Sequence, residues 1–276
     1  MKLSIGIIHW NAVDELRRCL QAFSRAQLPQ PCELIVVDNA SQAPTDGLVE
    51  EFSHVRWILN GFNAGFAGAC NQIVDSSSGE LILFCNPDIE AGGTSVMRLL
   101  EVLDGTPRAA VAAPALVDSQ GRLQSRSVRR LPTISSVTSD LIFLDELRRA
   151  APPIAPPVGP PRKIQQPAGA CLMIRRTALE EVGRWDEQFY PAWFEDVDLC
   201  RRFERAGWEI LWVPDSQVLH VGGQSLNTLG FHKFIALYYV NLRRYFRKHH
   251  APAAALYVAL LSRCALVLRR ILVRRT

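Results

Sequence analysis

The chain has 276 residues, 48% of them hydrophobic, which is enough to bury a substantial core and excludes a disordered or fibrous protein. A net charge of +4 hides an asymmetry: from Ser216 onward there are ten Lys or Arg and no Asp or Glu, so the residues upstream hold 21 basic and 27 acidic groups. The seven cysteines are odd in number and scattered, with no Cys-x-x-Cys pair, and read as small buried thiols in a reducing compartment rather than a disulfide framework or zinc site.

In chain order, "LSIGII" (3–8), "ELIVVD" (33–38), "VRWIL" (55–59), "ELILFC" (80–85) and "AAVAA" (109–113) are short continuous apolar runs, the pattern of strands buried on both faces. The first run is too short for a leader and meets "DELRR" with no small-residue cleavage site, so it reads as a first strand. Helical patterns lie between the runs. Leu16, Cys19, Leu20 and Phe23 recur at helical spacing, and "TSVMRLLEVLDG" carries Thr94 or Ser95 to cap it and Gly105 to stop it. Strand and helix alternating in this way predict an α/β fold with a mostly parallel sheet, the loops at 9–12, 38–46, 60–66 and 86–93 gathering along one edge.

The middle predicts a helix near 134–149 and a proline-rich excursion at about 150–167, followed by a strand at "GACLMI" (169–174). A helix at "RTALEEVG", a loop at "RWDEQFYPAWF", a helix at "EDVDLCRRFERAG" and a strand at "EILWVP" complete the pattern. No apolar run reaches eighteen residues, so no transmembrane helix is expected.

Several residues could carry chemistry. Asp38 ends the second strand, where an Asp serves either a local turn or a ligand. "NGFNAGFAGACN" (60–71) opens a helix with glycines but matches neither a dinucleotide fingerprint nor a P-loop. Pro87 stops the strand before it and holds Asp88 on a stiff backbone, which suits a metal ligand. Glu195, Asp196 and Asp198 crowd the start of one helix behind Phe189, Tyr190, Trp193 and Phe194, an arrangement that raises carboxylate pKa values and suits a general base. His220 follows a strand and precedes two glycines; alone it reads as readily as a structural residue.

Taken in order, "SIGIIHWN", "VVDNAS", "NAGFAGACN", "FCNPDIE", "GACLMIRRTALEEVGRWDEQFY" and "FEDVDLCRRFERAGW" resemble an inverting family-2 glycosyltransferase of the GT-A fold, with the flavour of bacterial rhamnosyltransferases, over about residues 3 to 225. The resemblance implies a Rossmann-like catalytic domain at 1–225 and leaves 226–276 as a basic, amphipathic helical extension. It implies nucleotide-sugar contacts from His9, Asn11, Asp38, Asn63, Gly65, Asn71 and Asn86, and acceptor contacts from Trp193 and Phe194. The family's Asp-x-Asp motif corresponds to Asn86-Pro87-Asp88, which departs at its first position and leaves Asp88 as the direct ligand of Mg²⁺ or Mn²⁺, joined by His220. The Glu-Asp motif corresponds to Glu195-Asp196, with Asp196 as base.

The implied reaction moves a sugar, rhamnose or a related deoxysugar, from a dTDP- or UDP-linked donor to a hydroxyl of a glycan or polyprenyl-linked acceptor. The acid-free C-terminal segment alternates aromatic-aliphatic patches with arginines, which reads as an interfacial helix on the anionic inner face of the plasma membrane rather than a nucleic-acid-binding tail; a packing helix is the other reading. A nucleotidyltransferase would carry a basic glycine-rich loop after its first strand, and "HWNAVDE" is not one. A non-catalytic nucleotide-sugar-binding protein would not need both Asp88 and Asp196.

Overall fold

Apolar runs and amphipathic segments alternate, and the chain folds accordingly. The computed structural model describes residues 3–125, 127–141, 158–222 and 230–273. In order, these form β1 (Leu3–His9), α1 (Val13–Arg25), β2 (Cys32–Asp38), α2 (Asp46–Glu51), β3 (Arg56–Leu59), α3 (Gly65–Ser76), β4 (Leu81–Cys85), β5 (Ile89–Glu90), α4 (Gly93–Gly105), β6 (Ala109–Val117) and β7 (Val128–Arg129). They continue as α5 (Ile134–Leu141), β8 (Arg162–Lys163), β9 (Gln166–Pro167), β10 (Cys171–Arg175), α6 (Arg176–Glu181), α7 (Glu195–Arg205), β11 (Glu209–His220), α8 (Phe231–His249) and α9 (Pro252–Val273).

The central sheet runs β3-β2-β1-β4-β10-β6-β11-β5, with β8 paired to β11. Pairs β1/β2, β1/β4, β2/β3 and β6/β11 are parallel, whereas β10 is antiparallel to both β4 and β6. The sheet is largely parallel with helices on its faces. Because side chains alternate between faces, Leu3, Ile5 and Ile7 of β1 enter one core with Leu16, Cys19, Leu20 and Phe23 of α1 and Val96, Leu99 and Leu103 of α4. On the other face Phe84 meets Trp185 edge-on, with ring centroids 5.4 Å apart.

Four local readings change. β3 is an edge strand with Leu59 58% exposed, not a strand buried on both faces, because it ends the strand order with β2 as its neighbour on one side. Neither Thr94 nor Ser95 caps α4: its N-cap is Gly92, and the Ser95 hydroxyl instead donates to the Gln217 carbonyl at 2.6 Å. β11 runs past Pro214 to His220, shifting register against β6 between Val213 and Gln217. All seven cysteines are free, but Cys32 is half-buried and Cys264 exposed. The expected helix at 134–149 is present as α5; its part from 142 onward, the excursion up to 157, and residues 226–229 and 274–276 of the C-terminal extension lie outside the described residues.

The chain divides into two units, Met1–Arg130 with Pro153–Gln224, and Leu131–Pro152 with Ser225–Thr276. In the second, α9 packs on α8 and α5, and the Thr138 and Tyr257 hydroxyls lie 3.1 Å apart. No helix among the described residues is long and apolar enough to cross a membrane.

Candidate functional site

The C-terminal ends of the parallel strands form the edge where open α/β sheets bind ligands. His9 and Asp38 are register partners at the ends of β1 and β2. The Asp38 carboxylate orders the loop that follows, its Oδ1 accepting from the Ser41 N–H at 2.9 Å and its Oδ2 from the Thr45 hydroxyl at 3.0 Å. Asn11 ties the neighbouring loop to it: its N–H donates to Ser41 Oγ and its Oδ1 accepts from the Gln42 N–H. His9 departs from the expected base contact. It sits within β1, fully buried, with both ring nitrogens unpartnered, and burial lowers its pKa against the pull of Asp38.

The next loops converge on a residue that sequence reading did not single out. Asn39, buried, donates from Nδ2 to Asn63 Oδ1 and the Gly65 carbonyl, while its Oδ1 accepts from Asn60 Nδ2 and the Ala64 N–H. Asn63 also accepts from the Gly65 N–H. Gly65 is required where it stands: φ is +77°, and a Cβ there would lie 2.9 Å from the Tyr190 ring and 3.0 Å from the Pro191 carbonyl. Asn71 points away from this loop, its amide donating to the Trp185 carbonyl and Glu187 Oε1 and accepting from the Trp185 N–H. It anchors the 185–187 turn.

Beyond β4, the Asn86 N–H donates to the Ala170 carbonyl at 2.9 Å, and Asp88 is 7% exposed. Asp88 Oδ2 accepts from the Gly222 N–H at 3.1 Å and lies 3.5 Å from His220 Nε2, while Oδ1 is buried with no donor. Gln124, also missed, settles the imidazole tautomer. Its Nε2 donates to the His220 carbonyl at 2.6 Å, which turns its Oε1 toward His220 Nδ1 at 2.8 Å, so Nδ1 is the donor. Burial lowers the His220 pKa, with Asp88 opposing, and in the neutral ring the Nε2 lone pair faces a carboxylate oxygen. Two lone-pair atoms face to face beside an orphaned carboxylate oxygen fit a divalent cation with mixed oxygen and nitrogen ligation. Among the described residues no group of three or more His, Cys, Asp or Glu is placed to hold a metal ion.

The three acids of α7 are sorted by their surroundings. Trp193 and Phe194 both have positive φ and aim the helix start, but Phe194 is 4% exposed, so of the two rings expected to face an acceptor Trp193 alone has appreciable free surface. Asp198 is fully buried and ion-paired with Arg202 at 2.8 Å. Glu195 is buried with Oε2 unpartnered; burial, and then Asp196 beside it, push its pKa well above the ordinary carboxylate range. Asp196 keeps some exposure. Its Oδ1 accepts from the Val197 N–H at 2.8 Å and its Oδ2 from Gln166 Nε2 at 3.5 Å. Burial raises its pKa, with the Arg129 charge opposing. Arg129 and Gln166 belong to the paired strands β7 and β9, and Gly169 lets the backbone approach, since a Cβ there would sit 3.2 Å from the Asp196 side chain.

Residues 4–183 match the family described as Glycosyl transferase family 2, and residues 159–233 match Glycosyltransferase like family 2. The chain belongs to glycosyl transferase family 2. It is 28% identical over 244 residues to the N-acetylglucosaminyl-diphospho-decaprenol L-rhamnosyltransferase of Mycobacterium tuberculosis, covering 79% of this chain and 75% of that one. The mannosyltransferase PcManGT from Pyrobaculum calidifontis, solved with GDP-Man and Mn²⁺, superposes with a TM-score of 0.61 at 14% identity, covering 98% of this chain and 75% of that one. GalNAc-T7, solved with UDP, GalNAc and Mn²⁺, superposes with a TM-score of 0.60 at 16% identity over 80% of this chain, which spans 44% of that protein. These likenesses establish the GT-A-like Rossmann fold of this family-2 chain.

Proposed function

We propose that the chain is an inverting glycosyltransferase that moves rhamnose or a related deoxysugar from a dTDP- or UDP-linked donor to a hydroxyl of a glycan or polyprenyl-linked acceptor, in the cytoplasm at the inner membrane face. The observation that carries this reading is the sorting of the α7 acids. Asp196 is the one of the three that combines residual exposure, a raised pKa and, among the described residues, no ion pair that fixes it. The M. tuberculosis relative, named for rhamnosyl transfer to a lipid-linked sugar, supports the sugar and acceptor classes.

Asp196 takes the proton of the acceptor hydroxyl as that oxygen attacks the anomeric carbon, and one displacement inverts configuration. The Val197 N–H and Gln166 hold the carboxylate by one oxygen each, leaving lone pairs on both for the incoming proton. Burial raises the Glu195 pKa, which disfavours a second charge beside Asp196. Trp193 offers its face to the acceptor. Asp38 and Asn11 order the nucleotide loops, and the Asn39 hub holds Asn63 and Gly65 beside them. Asp88 and His220 would hold a divalent ion, which when bound neutralises charge developing on the leaving diphosphate. Asn86 extends the same turn.

A thermal-shift screen of dTDP-, UDP- and GDP-sugars with and without Mn²⁺ tests the reading. A matching donor at ~100 times its Kd should add roughly 2.7 kcal/mol, and only with metal. Nucleoside diphosphate release should then depend on a glycan or polyprenyl-linked acceptor. Stabilisation by no nucleotide-sugar would refute the reading; stabilisation without turnover on any acceptor would favour the non-catalytic binding protein.

A further inference from the structure

Helices α8 and α9 enclose a cleft of about 240 Å³ lined by Arg243, Arg247, Ala255, Leu256, Ala259 and Arg263, with no carboxylate in its lining. Arg243 and Arg247 stand one turn apart on α8, and Arg263 comes from α9. Arg243 is half-buried and donates from Nη1 to Oγ of the buried Ser262 at 3.3 Å. Burial, and then the charges of Arg263, Arg247 and Arg244, lower its pKa. Arginine does not escape such crowding by losing its proton, so the cluster is relieved by a counter-anion. No hydrogen bond or ion pair engages Arg247 or Arg263 among the described residues, and their guanidinium forks match the oxygens of a phosphate.

The same helix carries an apolar surface. Leu256, Tyr257 and Leu260 are 61%, 42% and 54% exposed, and Leu256 also lines the cleft. A soluble phosphate needs the arginines but not these side chains. A lipid offers both a phosphate for the cleft and acyl chains for the apolar surface.

We propose that the Arg243–Arg247–Arg263 cleft binds the phosphate of an anionic lipid headgroup while Leu256, Tyr257 and Leu260 enter the acyl boundary. This deepens the membrane-surface part of the proposed function and rests on that part alone, since it requires neither donor nor metal.

The test is sedimentation of the full chain with phosphatidylcholine vesicles, with and without phosphatidylglycerol. Wild type should bind the anionic vesicles and release with salt. Arg247→Gln/Arg263→Gln should bind them roughly 10- to 30-fold more weakly, with an unchanged melting temperature. Arg25→Gln/Arg130→Gln, which removes two exposed charges from the other unit, should weaken binding less than about threefold. Leu260→Ser, an apolar position outside the cleft lining, should also weaken it, whereas a calorimetric titration with inorganic pyrophosphate should show no binding of comparable affinity. Equal losses in the two double variants would overturn the site but leave membrane docking standing. Pyrophosphate binding that survives Leu260→Ser would make it a soluble-phosphate site and overturn the lipid assignment. Wild type that ignores anionic vesicles would overturn both the site and the membrane reading, while metal-dependent donor stabilisation would still report on the catalytic one.

Discussion

Asp196→Asn isolates the proposed base with almost no change of shape. An Asn Oδ1 can still accept the Val197 N–H, bonded at 2.8 Å, and the 3.5 Å contact from Gln166 Nε2 is long enough for Gln166 to turn its amide toward the new donor. Fold and donor binding should therefore persist, while kcat falls by about 10²–10⁴, equivalent to ~2.7–5.4 kcal/mol on the barrier. Stability should move the other way. Burial raises the folded pKa of Asp196 above its ordinary value of 3.8, so the folded state holds this proton more tightly than the unfolded chain does. Its ionisation then destabilises the fold progressively as pH rises from 3.8 through the raised value, and fully above that. Asn removes the penalty, so the variant should melt at or above the wild-type temperature at pH 7, with the difference vanishing in acid. The assay is nucleoside diphosphate release with saturating donor and Mn²⁺, beside calorimetric melts across pH. A kcat within about tenfold of wild type, a shift of ~1.4 kcal/mol, would refute the assignment, and a drop in melting temperature at pH 7 would refute the electrostatic argument.

Asp88→Asn should leave the ligand-free melting temperature near wild type but abolish the Mn²⁺ dependence of donor stabilisation; unchanged metal dependence in a thermal-shift titration would remove Asp88 from the metal site. Asn39→Ala deletes the partner of Asn60, Asn63, Ala64 and Gly65, and leaving such groups unsatisfied should lower stability by about 2–4 kcal/mol in a urea melt and weaken nucleotide binding. Gly65→Ala must hold a Cβ at φ +77° against Tyr190 and Pro191, which should cost about 1–3 kcal/mol by the same measurement; a neutral result would mean that the loop relaxes freely.

The sheet was legible because each apolar run is long enough to be a strand and too short to be a buried helix, and α1 because its four apolar positions share one helical face, all of them buried. Local chemistry was less legible where distant segments decide it. Asn39 reads in sequence as one polar residue after Asp38, yet its partners at 60, 63, 64 and 65 make it the hub of two loops. Gln124 reads as a surface residue of an irregular stretch, and only the arrival of β11 ninety-six positions later gives it the imidazole of His220. Residue type alone does not separate Asp196 from Asp198 in "FEDVDLC"; only the resemblance, through its Glu-Asp pair, points to Asp196. Helical spacing does pair Asp198 with Arg202 four residues on, and that signal in the sequence could have removed Asp198 from the candidate bases.

The antiparallel strand β10 explains why one short turn of chain adjoins both the segment that carries Asp88 and the side chain of Asp196. Continuous apolar runs look alike in parallel and antiparallel strands, so "GACLMI" carries no sign of its direction. Because β10 runs against β4, with Cys171 opposite Cys85, its entry rather than its exit lies at the edge that carries the candidate site. That entry is residues 168–170. Its Ala170 carbonyl receives the Asn86 N–H two residues before Asp88, and its Gly169 lies against Asp196. One turn of chain thus adjoins both the segment that carries Asp88 and the side chain of Asp196. A parallel strand in the same slot would bring Arg175 and α6 to that edge and leave the 168–170 turn at the opposite end of the sheet, so the reversal of this one strand is what lets a single turn touch both the Asn86 backbone after β4 and the Asp196 side chain of α7.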